Sequence, residues 1–368
     1  AFVTAFAGQP LDVTETAALT RAMLEAGDRL DWPDELVLDK HCVGGLPANR
    51  TTPLIVAIVT AAGFTMPKTS SRAITSPAGT ADAMEVIAPV NLDLGAMRRV
   101  VEREGGCVVW GGNVRLSPAD DILIGVERAL DVDSEVQLVA SILSKKLAAG
   151  ATHVLLDLPV GATAKVRSPA EAARLSAHLV AVAAEFHLSV TPVLTDGTQP
   201  VGSGIGPALE AHDVLAVLRR APDAPADLRE RAIDLSGRIL DLAGGPPGRG
   251  RAQASAILDD GRALDKFMAI CEAQGGFSEP STAPLRYTIS APRSARVAAF
   301  DNRTLARVAK LAGAPRSKSA GISLHVKLGA TVARGEPIFT VHAESRGELD
   351  YALAFAAANP DAIRLASL

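Results

Sequence analysis

Apolar positions recur along this chain in two rhythms, and the places where the rhythm changes mark its organisation. From Val13 to Ala26 the apolar residues Ala18, Met23 and Leu24 fall at helical spacing and Gly27 stops the run, which predicts a helix. Leu94 to Glu104 reads the same way until Gly105-Gly106 breaks it, and Cys107-Val108-Val109-Trp110 then reads as a buried strand. Val154 to Leu158 and Val190 to Leu194 are further short aliphatic runs, followed by helical patterns over Ala170 to Glu185 and Pro207 to Arg219. Strand and helix in alternation predict a parallel sheet with crossover helices, and strands this apolar suit a sheet covered on both faces.

Beyond Pro222 the pattern becomes helical, over Asp227 to Leu242 and Arg251 to Gln274, with Gly244-Gly245-Pro246-Pro247-Gly248 between them. After Gly275-Gly276 strands are predicted at Tyr287 to Ile289, Val326 to Val332 and Pro337 to His342. The last two flank Arg334-Gly335-Glu336, like the hairpin of a biotinyl or lipoyl domain, but without the lysine such a turn would carry.

Two polar loops interrupt the apolar pattern, each followed by an apolar helix. The first, D-K-H-C-V-G-G-L-P-A-N-R-T-T from Asp39 to Thr52, sets Lys40 and His41 before Gly44-Gly45 and closes on Thr51 and Thr52. Thr52 reads as an N-cap and Pro53 as the first helical residue, so free amides and the helix dipole would face an anion. The second, K-T-S-S-R-A-I-T-S-P-A-G-T-A-D from Lys68 to Asp82, offers hydroxyls of Ser70, Ser71, Thr75, Ser76 and Thr80, the guanidinium of Arg72, and Gly79 for close backbone approach. Together they describe an anion cradle. Neither loop is a Walker sequence, and no G-x-G-x-x-G joins a strand to a helix, so a nucleoside triphosphate site is not indicated.

A third constellation lies on one helix: Asp133, Gln137, Ser141 and Lys145 recur every fourth residue, on one face, through an otherwise apolar run. The stripe spans roughly 18 Å, so not every member can touch one small ligand. It faces either solvent or a cleft.

Composition narrows the class. The chain has 368 residues, above the usual single-core limit, and 48% are hydrophobic, enough for more than one core. A net charge of -4 without basic runs gives no footprint for nucleic acid or an anionic membrane, so the expected ligand is small. Cys42, Cys107 and Cys271 are far apart and fit neither a disulfide framework nor a zinc site, which suits a reducing cytoplasm. No uncharged apolar stretch of about 18 residues occurs and no signal peptide is evident. Ala1 opens the chain within a helical pattern (Phe2, Val3, Phe6), so a fragment of a longer protein is expected.

The two loops resemble the signature of the thymidine phosphorylase family, K-H-S-T-G-G followed by S-x-R, G-T and D. Here the motif stands as Lys40-His41-Cys42-Val43-Gly44-Gly45, Ser70-Ser71-Arg72 and Gly79-Thr80-Ala81-Asp82. The likeness extends over nearly the whole chain. It is nearest to the AMP phosphorylase branch and its bacterial relatives, which carry G-N-R-T-T, here Ala48-Asn49-Arg50-Thr51-Thr52, and S-S-R-A-I-T-S-P-A-G-T-A-D, here unbroken from Ser70 to Asp82.

The resemblance implies an α/β fold: a helical domain, a mainly parallel-sheet α/β domain and a small C-terminal α+β domain. Residues 1–30 and 117–150 would be helical, 31–116 and 151–275 α/β, and 276–368 the C-terminal domain, with further N-terminal helices and another module in the full-length protein. It implies a pentosyltransferase that cleaves an N-glycosidic bond with phosphate in a cleft between the helical and α/β domains, with no cofactor or metal and a homodimer or larger homo-oligomer as the full-length form. Lys40, Gly45, Thr51, Ser70, Ser71, Arg72, Thr75, Ser76 and Thr80 would hold the phosphate, and Ser141, Lys145 and Lys165 the nucleoside or nucleotide. The general acid would be Asp133 in the nucleotide branch or His41 in the pyrimidine branch, where a resting pKa near neutrality suits the task. The base-binding arginine of the thymidine branch would fall on Val126, with Arg128 two positions on, a departure that favours AMP over thymidine as substrate.

Two other classes stay open. A phosphoribosyltransferase of similar architecture would need magnesium on paired acids, for which Asp34-Glu35, Asp120-Asp121 and Asp259-Asp260 are the doublets available, and an inactive homologue would need no chemistry at all.

Overall fold

The structure is a computed structural model that describes residues 11–47, 50–73, 76–114, 116–130, 134–244 and 248–368, with residues 121 and 127–130 described for their backbone alone. Asp12 caps α1 (Val13–Glu25) by accepting from the Glu15 amide, and Glu15 returns a bond to the Asp12 amide, so the helix starts where its first carboxylate pair can close. There follow β1 (Leu38–Cys42), α2 (Thr51–Ala61), β2 (Met66–Ser70), α3 (Thr80–Glu85), α4 (Leu94–Glu104) and β3 (Gly106–Trp110). Gly105, at φ +76°, ends α4 in the left-handed region that glycine adopts without strain. Next come α5 (Pro118–Leu130), α6 (Glu135–Ala148), β4 (His153–Val160), α7 (Pro169–Ala184), β5 (Ser189–Asp196), β6 (Gly204–Ile205), α8 (Pro207–Leu218), α9 (Ala226–Leu242), α10 (Gly250–Asp259) and α11 (Arg262–Gln274). The last stretch holds β7 (Leu285–Ser290), β8 (Ala295–Phe300), α12 (Asn302–Leu311), β9 (Gly321–Leu324), β10 (Thr331–Val332), β11 (Pro337–Ala343), α13 (Arg346–Ala358) and β12 (Ile363–Ala366).

The expected α/β fold is present. β1, β4 and β5 pair in parallel, as do β2 and β3, and a parallel bridge between Val37 and Thr65 joins the two groups into the order β3-β2-β1-β4-β5. Alternation along the strands divides two cores. Leu38 of β1 and Leu155 of β4 pack with α2, α9, α10 and α11, whereas Val154, Leu156 and Leu158 pack with α1, α6 and α7. Strand order reverses between β1 and β4, the place where open α/β sheets open a crevice beyond their carboxyl ends.

Downstream, β6-β9-β11-β7 and β10-β8-β12 form two antiparallel sheets packed with α12 and α13 around a separate core. Three expectations change here. Residues 251–274 are two helices rather than one, because Gly261 takes φ +94° between α10 and α11. The stretch 326–332 is a strand only over β10, and β10 and β11 do not pair: the turn at 333–336 closes on itself, with β10 on β8 and β11 on β7 and β9. β6, early in sequence, is an edge of the C-terminal sheet through Gly204↔Ser323 and Ile205↔Ile322. Among the described residues no helix is long and apolar enough to cross a membrane.

Gly79 shows how tightly the second polar loop is folded: a Cβ there would lie 2.5 Å from Ser71 O and 2.6 Å from the Arg72 carbonyl carbon. Those neighbours are backbone and cannot swing aside. Gly79→Ala is expected to destabilise the protein by about 1–3 kcal/mol, the usual cost of overpacking, read as a lowered urea midpoint at unchanged slope.

Candidate active site

The site grows from β1, which is buried although its sequence is charged. Successive side chains of a strand point to opposite faces. Asp39 therefore turns toward α6, where its Oδ2 accepts from Lys146 Nζ at 2.6 Å while Lys68 Nζ stands 3.3 Å from Oδ1. Lys40 turns toward α2, where Nζ donates to Thr51 Oγ1 at 3.0 Å and lies 3.1 Å from Asp157 Oδ2 of β4. Thr195 of β5 bonds the other Asp157 oxygen at 2.6 Å. Lys40, Asp39, Asp157, Lys68 and Lys146 are all 4% exposed or less, so none of these charges is solvated.

Beyond Cys42 the chain turns at Gly44 (φ +149°) and Gly45 (φ +62°), conformations that favour glycine and bring the loop back to α2. α2 begins at Thr51, one residue earlier than the Thr52 cap expected from sequence. Its cap residue is Arg50, whose side chain makes no capping bond, so Pro53 is the third helical residue and the helix end facing the loop keeps amides to offer.

The second loop is stapled by Asp82, which accepts from the amides of Ala73 at 2.6 Å and Gly79 at 2.9 Å. Ser70 Oγ, at the carboxyl end of β2, is buried without a partner among the described residues and so has a hydrogen bond to give. Ser76 Oγ donates to Ala78 O at 2.7 Å, Thr80 opens α3 half-buried, and Ser71 is exposed. Arg72 departs from its expected role. Its guanidinium is held by Glu85 at 2.6 and 2.8 Å and by Asp82 at 3.3 Å, and stacks 4.8 Å above Trp110, so its charge is already neutralised and it braces the loop. Thr75 lies outside the described residues.

Buried at the centre are Lys40, Lys68 and Lys146 beside Asp39 and Asp157, a cluster in which lysines outnumber carboxylates among the described residues. Its effect reaches each neighbour. Burial alone would raise the Asp39 carboxyl, yet Lys146 and Lys68 hold it below the ordinary range. Burial drives Lys68 well below an ordinary lysine and Lys146 opposes its charge, with Asp39 compensating only in part. His41, half-buried, is pushed well below its usual pKa by burial and then by Lys146, Lys68, Lys145 and Lys40. The imidazole is therefore held neutral at neutral pH, against the expectation of a resting pKa near neutrality. Burial and Asp157 push the Cys42 thiol up to about 12, so it is no nucleophile at neutral pH.

The helical stripe faces inward. Gln137 and Ser141 are buried, and Lys145 Nζ donates to Ser141 Oγ at 2.8 Å and to Asp120 Oδ2 of α5 at 2.6 Å. Gln137 also reaches Asp120, at 3.4 Å. Ser134 caps α6, not Asp133. Asp133 lies outside the described residues, as do the side chains of 127–130; Val126 is 38% exposed. The Lys146–Asp39 bond places α6 directly over the Lys40 strand. Lys165 is exposed in the loop after β4, on the same carboxyl edge as the loop after β1. Asp34 accepts from Thr65, Asp259 pairs with Arg229 and Asp260 with Arg262, so these acidic positions serve local contacts; no metal-binding cluster occurs among the described residues.

Sequence reasoning missed Asp39, Lys68, Lys146, Asp157 and the buried Arg50–Glu210 pair, 3.3 Å apart. The available signal was charge within short strands: Asp39 and Lys40 in L-D-K-H-C, Lys68 in M-P-K-T-S and Asp157 in H-V-L-L-D-L-P-V.

Known proteins resemble this chain in sequence and in fold. Residues 34–264 match the family model described as the glycosyl transferase family, a/b domain, and residues 296–361 match the pyrimidine nucleoside phosphorylase C-terminal domain. Anthranilate phosphoribosyltransferase from Thermus thermophilus shares the fold, with a TM-score of 0.58 at 22% identity over 71% of this chain and 85% of that one. The molecule is thus an enzyme of the pentosyltransferase class. "Putative thymidine phosphorylase 1" of Acidovorax sp. (strain JS42) is 64% identical over 98% of this chain and 71% of its own length. "Putative thymidine phosphorylase" of Hahella chejuensis (strain KCTC 2396) is 60% identical over 99% and 72%. The chain belongs to the thymidine and pyrimidine nucleoside phosphorylase family.

Two outcomes follow from the buried charge. Lys40→Ala strands Asp157 and should cost about 3–5 kcal/mol of stability, with most of it restored on adding Asp157→Asn, as read by urea unfolding. An anion entering the cradle raises the pKa of nearby cationic acids, so sulfate, which carries no proton to release near neutrality, should bind with proton uptake by His41 and Lys68. Calorimetry in two buffers of different ionisation enthalpy checks this, and His41→Asn should reduce the uptake.

Proposed function

We propose that this protein cleaves the N-glycosidic bond of a nucleoside 5′-monophosphate with inorganic phosphate, turning AMP and phosphate into adenine and ribose 1,5-bisphosphate. The observation that supports the phosphate half is the set of three buried lysines around β1, Lys40, Lys68 and Lys146, beside two buried carboxylates among the described residues. Lys40, Thr51, Ser70, Ser76, Thr80 and the amides around Gly45 hold phosphate in line with the anomeric carbon. A phosphate oxygen bonds to that carbon as its bond to the base nitrogen breaks, the bonding pair leaves with the base, and a general acid supplies the proton.

Asp133 is that acid in this reading. Ser141 and Lys145 contact the sugar or base, and Lys165 pairs with the 5′-phosphate. His41 becomes a proton donor only once an anion restores its charge, which would make phosphate the first substrate to bind. Ser71 borders the cradle, Thr75 is a further candidate for holding phosphate, and Arg72 supports the loop from behind. The scheme calls for no metal or other cofactor, in a homo-oligomeric cytoplasmic enzyme. The second reading, thymidine and phosphate to thymine and 2-deoxyribose 1-phosphate, is favoured by the names of the relatives. Val126 in place of an arginine, the Ser70 to Asp82 motif and Lys165 support the nucleotide.

Assays with AMP, thymidine and uridine, with and without phosphate, separate these. AMP turnover should require phosphate, and Asp133→Asn should lower it by roughly 10² or more, with a smaller effect of His41→Asn. Lys165→Ala should raise KM for AMP while sparing any activity on unphosphorylated nucleosides. A preference for thymidine, with His41 indispensable and Asp133 not, would assign the pyrimidine reaction instead.

A further inference from the structure

Arg50 stands between the cradle and the rest of the molecule. It precedes Thr51, whose hydroxyl accepts from Lys40, and it is 1% exposed. Nη2 lies 3.3 Å from Glu210 Oε1 of α8, yet among the described residues none of the three guanidinium nitrogens nor Glu210 Oε2 makes an aligned hydrogen bond. The pair is held by charge more than by geometry. The Arg50 stem runs against Gly202, where a Cβ would be 2.9 Å from Arg50 Cδ and 2.5 Å from Asp213 Oδ2. Asp213 in turn accepts from the amides of Ser203 at 2.7 Å and Gly204 at 2.8 Å, the turn that enters β6. From the other side Lys327 Nζ donates to Gly202 O and Asp227 Oδ2, both at 2.6 Å.

We propose that Arg50, held by Glu210, is a positioning residue that fixes the start of α2, and with it Thr51 and Lys40, and that it ties the phosphate cradle to the C-terminal sheet. The inference rests on the phosphate reading above. Arg50 touches no reacting atom; it acts through the helix start it anchors.

Charge state supplies the test. The groups around Glu210 are Arg50 from α2, His212 and Asp213 from its own helix, and beyond them Lys327 and Asp227. Asp82 and Glu85 of neighbouring α3 are taken by Arg72 and Lys318. Burial raises the Glu210 carboxyl to about 7, with Arg50 and the Gly206 amide opposing and Asp213 adding to the rise. The carboxylate that holds Arg50 is therefore complete above that value and is lost below it.

Sulfate affinity measured by calorimetry on wild type and Glu210→Gln reads this link, and His41 and Lys68 titrate alike in both proteins, so the ratio of the two dissociation constants cancels them. The ratio should be about tenfold at about pH 8, the scale of one lost charge-assisted contact, and should fall toward unity at about pH 6, where wild-type Glu210 is itself neutral. Glu210→Asp should recover part of the affinity at the higher pH. A ratio near unity at about pH 8, or one that does not change with pH, would overturn the link while leaving the cradle in place. A wild type that binds neither sulfate nor phosphate would overturn the cradle and the link together. Should Glu210→Gln not fold, Arg50→Lys, which keeps the charge on a narrower stem, is expected to weaken sulfate binding at both pH values, and unchanged affinity would equally overturn the proposal.

Discussion

The structure depends on an unequal distribution of buried charge. Lys68 and Lys146 meet Asp39 on one face of β1 and Lys40 meets Asp157 on the other, an arrangement that a fold optimised for stability alone would replace with apolar packing. The helices around it are arranged to hold it. α6 brings Lys146 down on one face of the strand and α2 brings Thr51 on the other, so closing the two cores also buries both sets of lysine contacts. The depressed pKa values at His41 and Lys68 come from burial first, with repulsion by neighbouring lysines adding to it.

Much of this was legible in the sequence. Apolar period and glycine stops gave α1, α4, β3, β4, β5, α7 and α8 within a few residues, because those elements obey local rules: a capping carboxylate at Asp12, a left-handed glycine at 105, aliphatic strands between helices. The cradle loops were legible because hydroxyls, glycines and a lysine cluster there beyond the needs of a turn. What sequence could not show is where a charge finds its partner. Arg72 has the composition of a phosphate ligand, and only tertiary contact shows Glu85, Asp82 and Trp110 consuming it. β1 was unreadable as a core strand since D-K-H defeats hydropathy. The stripe on α6 could face solvent or interior, and Asp120, distant in sequence, decides for the interior.

The C-terminal sheets are more than an appendage to the catalytic fold. Thr163, in the loop after β4, donates to Phe300 O, and Asn302 donates to Gly197 O, in the loop after β5. Lys318 reaches Glu85 beneath the second cradle loop. The loops that rim the site are thus braced from outside the α/β domain, which lets them carry glycine turns and polar side chains without a core of their own.

The two-residue strand β6 has a consequence for how the molecule can be divided. Gly204 and Ile205 are donated by the first part of the chain to complete a sheet built from the last part, so neither part owns all of its own hydrogen bonds. Cutting between α11 and β7 would leave β9 with a bare edge on one fragment and an unpaired Gly204-Ile205 on the other. The boundary that looks natural in sequence, at the Gly275-Gly276 step, is not a seam in the folded protein. Order in the C-terminal sheet is thereby linked through β6 to the start of α8, so neither part can be exchanged without unmaking a strand of the other.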